Sequence, residues 1–233
     1  MILTLKPVDK NFICPHCNSA FMKEKTLIVH MCEQKRRFLA KNEKHVQLGY
    51  VAFVRFYELI QKSKEIKTYD EFARSPYYNA FTKFGSFISN IDPLYPDHYI
   101  DYVLKSGVKL DHWCREELYE KYVINLIKTE SVETAMERTI SHMIEWADKN
   151  NSLWNHYFNY VSTNRATFDI KDGKISPWLI LNSKSGRDML SKLSDEQLET
   201  VGSMIDPTFW TKKFRLQPAD VEIVHQVVKE SNL

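Results

Sequence analysis

Cys14 and Cys17 are separated by two residues, His30 follows after twelve more, and Cys32 comes next with only Met31 between. Two cysteines at this spacing let both thiolates converge on one ion from a single tight knuckle, and twelve residues suffice to cross a strand and return on a helix. The last pair is the difficulty. Two steps along an α-helix rotate a side chain by about 200°, so a straight helix would aim His30 and Cys32 in opposite directions. Either the helix stops at His30, through a 3₁₀ turn or an unwound step after Met31, or the fourth ligand comes from elsewhere: His16, His45, Cys114 or water. A third reading is a knuckle without metal. His16, inside the knuckle, is expected to point to solvent.

The apolar positions support a small folded unit. Phe21, Leu27 and His30 are spaced so that one face of a short helix turns Leu27 and His30 toward a core built on Phe21. Over residues 12–32 the segment resembles the classical zinc finger with two cysteine and two histidine ligands, in the variant with cysteine as the last ligand. The resemblance implies a ββα unit and one structural zinc ion held by Cys14, Cys17, His30 and Cys32. Four protein ligands would close the coordination sphere and leave no position for an activated water. It also places Lys23, Thr26 and Val29 at the base-reading positions, with Lys25 beside them. Valine offers a base only apolar contact, and one finger spans about three base pairs.

The segment that follows, EQKRRFLAKNEK, adds Lys35, Arg36, Arg37, Lys41 and Lys44, which can neutralise phosphates without reading sequence. Residues 1–67 hold 13 Lys and Arg against 6 Asp and Glu, while the whole chain has a net charge of only +2. This is a basic arm on a mildly acidic body. The expected function is that of a non-enzymatic accessory protein binding nucleic acid, DNA rather than RNA, mostly through phosphates. The alternative is an adaptor whose finger docks a protein partner in a larger complex.

The remainder reads as a mainly α body. Glycine and proline are sparse, at 6 and 8 of 233 residues, and turn-poor amphipathic stretches follow one another. The boundaries expected are a finger over residues 1–35 and a helical body over 36–233, with a subdivision available near 161–175. An almost continuous helix is predicted from Arg36 to Lys64, with Gly49 a small cost or a break. Further helices are predicted over residues 76–87, 96–105, 112–128, 131–150, 151–160, 194–204 and 218–230, several with capping residues at their starts. Aromatics at Tyr77, Tyr78, Phe81, Phe84 and Phe87 read as core packing, and Phe209, Trp210 and Phe214 as a docking cluster. Asp172-Gly173 suggests a small β-hairpin within 166–181, between strands near Ala166–Ile170 and Ile175–Leu181.

Catalytic patterns are weak. No phosphate-gripping glycine loop, triad or nucleophile elbow occurs. His142 and Glu145 stand in the wrong order, without a second copy, for a carboxylate-bridged metal pair. Asp169 and Asp172 beside lysines, and His112 with Cys114, have spacings that do not converge. In overall style the chain is similar to zinc-finger proteins of large tailed phages, a likeness that supplies no activity. With no leader-like start and no apolar run of 18 residues, a soluble cytoplasmic protein is expected, in the host cytoplasm if phage-encoded, with no membrane partner.

Overall fold

The structure is a computed structural model that describes residues 12–233, so the leader reading made on the first ten residues lies outside the described part. It is a small hairpin followed by helices. Strands β1 (Phe12–Ile13) and β2 (Ala20–Phe21) pair antiparallel, with Phe12 opposite Phe21. Helices α1 (Glu24–Val29), α2 (Glu33–Leu39), α3 (Lys44–Leu59), α4 (Tyr69–Arg74), α5 (Tyr78–Ile91), α6 (Pro96–Lys105) and α7 (Glu116–Thr129) follow. Then come α8 (Val132–Asn150), α9 (Tyr157–Tyr160), α10 (Thr163–Lys171), α11 (Pro177–Asn182), α12 (Lys184–Leu190), α13 (Asp195–Val201), α14 (Pro207–Leu216) and α15 (Pro218–Ser231). Among the described residues no helix is long and apolar enough to cross a membrane.

The chain divides into two compact units. One runs through Asp92 and resumes over Ile100–Cys114; the other comprises Pro93–Tyr99 and Arg115–Leu233. The first unit is organised by the crossing of α3 and α5. Gly49 does not break α3, which runs unbroken through it; a Cβ placed on it would lie 2.7 Å from the Phe81 carbonyl oxygen. A Cβ on Gly85 would lie 2.0 Å from the His45 carbonyl oxygen and 2.6 Å from the Gly49 nitrogen. The two backbones therefore touch, an approach open only to residues without a side chain.

Around that contact, Phe53, Phe72, Phe81, Phe84 and Trp113 are buried, and Phe81 and Phe84 both meet the Trp113 ring edge-on. The Trp113 indole N–H is satisfied by the Val108 carbonyl at 2.8 Å. Of the predicted aromatic row, Tyr78, Phe81 and Phe84 are core and Tyr77 is exposed. The helix predicted over 36–64 is in fact two, because α2 gives way to a 3₁₀ turn over Ala40–Asn42 and Glu43 restarts the chain in an extended conformation.

The second unit is built around α11, whose Trp178, Leu179 and Ile180 are fully buried. This is where the expected hairpin fails. Ser162 caps α10 through the Arg165 N–H, Gly173 at φ 73° ends the turn after it, and Ser176 with Pro177 opens α11. A short continuous apolar run looks the same whether it is a central strand or a buried helix. The deciding signal was Ser-Pro, a helix start in which proline's missing N–H is harmless but would leave a gap in a strand ladder. The aromatic cluster of the tail does dock: Trp210 meets Trp178 at 5.8 Å and Phe214 meets Trp178 at 5.0 Å.

A polar knot sits in this second core. Asp169 is fully buried, and its Oδ2 receives the Tyr157 hydroxyl at 2.8 Å and Arg165 Nε at 2.8 Å, with His142 Nε2 at 2.9 Å. Burial acts to raise the Asp169 carboxyl pKa, but the contacts with His142 and Arg165 outweigh it and hold the pKa below the usual range. The same burial, with the charge of Asp169 beside it, pushes the Tyr157 phenol upward.

Two measurements test this architecture. Gly85→Ala is expected to lower stability by about 1–3 kcal/mol or more in urea denaturation, because backbone, not a yielding side chain, occupies the space. A carboxylate whose pKa falls on folding stabilises fully above its unfolded value of about 3.9, and that contribution is lost as pH drops through the lowered value. Asp169→Asn is therefore expected to cost about 1.5–3 kcal/mol at pH 7 and to flatten the decline of stability on the acid side.

Candidate metal centre

The hairpin and the start of α2 bring four ligand atoms together. The knuckle is closed by the Asn18 N–H donating to the Cys14 carbonyl at 2.9 Å and the Cys14 N–H donating to the Ser19 carbonyl at 2.9 Å. Asn18 takes a left-handed φ of 60°, which its short polar side chain tolerates. This turn places Cys14, which is buried, and Cys17 on one side of the hairpin.

The helix then ends in time. α1 stops at Val29, and His30 leaves it in an extended conformation at φ −65°, ψ 124°. Cys32 is also extended, at φ −79°, ψ 166°, and serves as the N-cap of α2, its sulfur accepting the Lys35 N–H at 3.4 Å. The three residues between the helices are an unwound step, so the 200° problem does not arise. The Cys14 and Cys32 sulfurs lie 4.0 Å apart, and Cys17 Sγ lies 3.2 Å from His30 Nε2. All four ligand atoms lie within 4.8 Å of one another, close enough to share one metal ion.

The immediate surroundings favour anionic sulfur at one corner. Hydrogen bonds from Ser19, and then from His30, pull the Cys17 thiol down to about 6. Burial pushes the Cys32 thiol up. Phe21 packs against the His30 ring, with centroids 4.7 Å apart and the planes tilted by 48°. Four protein ligands around one point leave no coordination position for a reacting water, so the centre suits a structural ion. His16, His45 and Cys114 stand outside it. His16, expected in solvent, packs on Phe38 at 5.0 Å.

That contact begins a chain of packing from the hairpin into the first unit. Phe38 meets Tyr69 edge-on at 5.8 Å, and the Tyr69 hydroxyl donates to the Arg37 carbonyl at 2.6 Å. Arg37 itself is consumed. Its Nη1 donates to the Ala73 carbonyl at 2.8 Å and the Ser75 carbonyl at 3.2 Å, its guanidinium covers Tyr78 at 4.4 Å, and it pairs with Glu33. Only 13% of the side chain is exposed, so Arg37 is withdrawn from the expected phosphate contacts; it clasps α2 to the end of α4.

The other cationic candidates differ in freedom. Lys23, at the N-cap of α1, Lys25, Thr26 and Arg36 are exposed. Lys35 Nζ donates to the His30 carbonyl at 3.2 Å and so braces the unwound step. Lys41 is exposed over the Tyr69 ring at 5.2 Å, and Lys44 faces Asp92 at 3.5 Å. What the sequence reading underweighted is the apolar surface beside them: Val29 is 78% exposed, Met22 69% and Ile28 66%. The signal was present, since Leu27 turned inward forces Ile28 and Val29 toward solvent.

Cobalt(II) titration is expected to load one ion per chain with tetrahedral thiolate absorption. Cys32→Ala should weaken loading by about tenfold or more, while Cys114→Ala leaves it unchanged. Equal loading of Cys32→Ala would remove Cys32 from the site.

The chain matches no protein-family model, no curated protein and no solved structure.

Proposed function

We propose that residues 12–32 form a zinc-stabilised interaction module that docks a protein partner through the outward side of α1. Zinc fits the donor set: tetrahedral ligation with Zn–S near 2.3 Å separates two sulfurs by about 3.8 Å, close to the 4.0 Å between Cys14 and Cys32. A unit this small has almost no core of its own, and an ion held by three thiolates and an imidazole supplies the missing folding free energy.

The observation that carries the docking function is the exposure of Ile28 and Val29 on α1 and of Met22 just before it. Apolar side chains grouped on so small a unit favour burial against another protein, and methionine adapts readily to a partner's surface. Lys23 and Lys25 flank them and Arg36 lies on the next helix. This charge favours a partner that presents an apolar groove rimmed by carboxylates. The packing through His16, Phe38 and Tyr69 supports a module held in one orientation on its unit, which lowers the ordering cost of docking.

A second reading rests on the same cations. Lys23, Lys25, Arg36 and Lys41 are exposed and make no ion pair among the described residues, which supports non-specific contact with nucleic acid phosphates. The six-residue α1 and its valine at a base-reading position argue against sequence readout.

Two double variants separate the readings. For docking, Ile28→Glu/Val29→Glu abolishes capture of a specific protein that is then purified and rebound, while Arg36→Ala/Lys41→Ala retains it at 0.3 M salt, a concentration of roughly the order that strips phosphate-only contacts. Capture indifferent to Ile28→Glu/Val29→Glu would remove the docking function. Binding to random duplex or single-stranded DNA with a steep salt slope, reduced in Arg36→Ala/Lys41→Ala, would install the phosphate reading instead.

A further inference from the structure

We infer that the second unit carries a separate site for a 5′-phosphorylated nucleoside, in the cleft between α8 and the α9–α10 corner. The cleft encloses about 400 Å³, within the range of small-ligand sites. One wall is a single face of α8: His142, Glu145, Trp146 and Lys149 recur at helical spacing. The other wall is Tyr160 and Arg165.

Each part of such a ligand meets a matching group. Arg165 spends its Nε on the buried Asp169, at 2.8 Å, and lies over the Phe168 ring at 5.6 Å, while its two terminal nitrogens make no hydrogen bond or ion pair among the described residues. A guanidinium held in this way is prepared for bidentate phosphate binding, since its ordering cost is met before the ligand arrives. Lys149 lines the same cleft and is exposed, without an ion pair among the described residues. His142 lines the cleft as well, with its Nε2 2.9 Å from Asp169 Oδ2. Trp146 is braced edge-on by Tyr157 at 5.3 Å and, with the exposed Tyr160, offers aromatic surface for a base. Glu145, the one carboxylate on the wall, accepts from a base amino group or a sugar hydroxyl and disfavours a bare anion.

Asp169 is a positioning residue in this arrangement. It is fully buried, and its Oδ2 holds Arg165 through Nε at 2.8 Å and lies 2.9 Å from His142 Nε2. The site draws on no residue of the metal centre, so its fate is independent of the docking function.

The experiment is calorimetric titration of the full zinc-loaded chain with AMP, adenosine, inorganic phosphate, and a short single-stranded oligonucleotide bearing either a 5′-phosphate or a 5′-hydroxyl. Saturable AMP binding, at least tenfold tighter than adenosine or phosphate alone, is expected. Lys149→Glu, an exposed change that leaves the fold intact, should weaken AMP at least tenfold, as should Arg165→Ala, with thermal melting as the check on folding. Trp146→Leu should erase the advantage of AMP over inorganic phosphate. Preference for the 5′-phosphorylated oligonucleotide over AMP assigns the site to strand ends, and the reverse assigns it to free nucleotide. Absence of AMP binding at millimolar concentration overturns the proposal, and so does phosphate binding as tight as AMP with no effect of Trp146→Leu.

Discussion

A straight helix cannot aim positions i and i+2 at one ion, and the first unit is arranged around the escape from that constraint. Unwinding His30 to Cys32 costs hydrogen bonds at two helix ends, and the structure replaces them locally. The Cys32 sulfur caps α2 through the Lys35 N–H, and the Lys35 ammonium reaches back to the His30 carbonyl. A ligand that is also a cap couples metal binding to the start of α2. Because α2 is clasped to α4 by Arg37 and packed through Phe38, the geometry of the centre is transmitted into the aromatic core.

This coupling bears on function. In a finger strung on a flexible linker the helix is free to follow a groove, and its neighbouring cations are free to find phosphates. Here the neighbouring helix is part of a packed unit, and one of its two arginines is engaged by two carbonyls, a tyrosine ring and Glu33. The surface left over is apolar at Ile28, Val29 and Met22, with lysines at its edge. That balance is the ground on which we propose protein docking ahead of phosphate contact.

Much of the helical layout was legible because local signals agreed with tertiary demands. Helices begin close to where the sequence pattern started them, at Pro96, Ser131 and Ser194, and the structure adds the caps: Ser131 accepts the Thr134 N–H, and Ser194 with Gln197 forms a capping box. Legibility failed where two structures share one pattern. The apolar run after Ile175 fits a strand or a buried helix equally, and only its surroundings on α8, α12 and α15 make it a helix. Gly49 read as a weakness because nothing local announces that another glycine, Gly85, will be pressed against it.

The sequence by itself determined three candidate ligands, Cys14, Cys17 and His30, through their spacing, and it determined the helical class through amphipathic period and caps; the unwound step that brings Cys32 to them is seen only in the fold. Tertiary structure alone decided which charges remain free and which groups far apart in sequence share a site. Arg37 looks like Arg36 in the sequence and differs only in what α4 places beside it. His142, Arg165 and Asp169 became one network because α8 and α10 meet, although Arg165 and Asp169 at i, i+4 already hinted at half of it. Ligand identity depends on side-chain chemistry, which is written in the chain; availability depends on desolvation and neighbours, which exist only once the chain has folded.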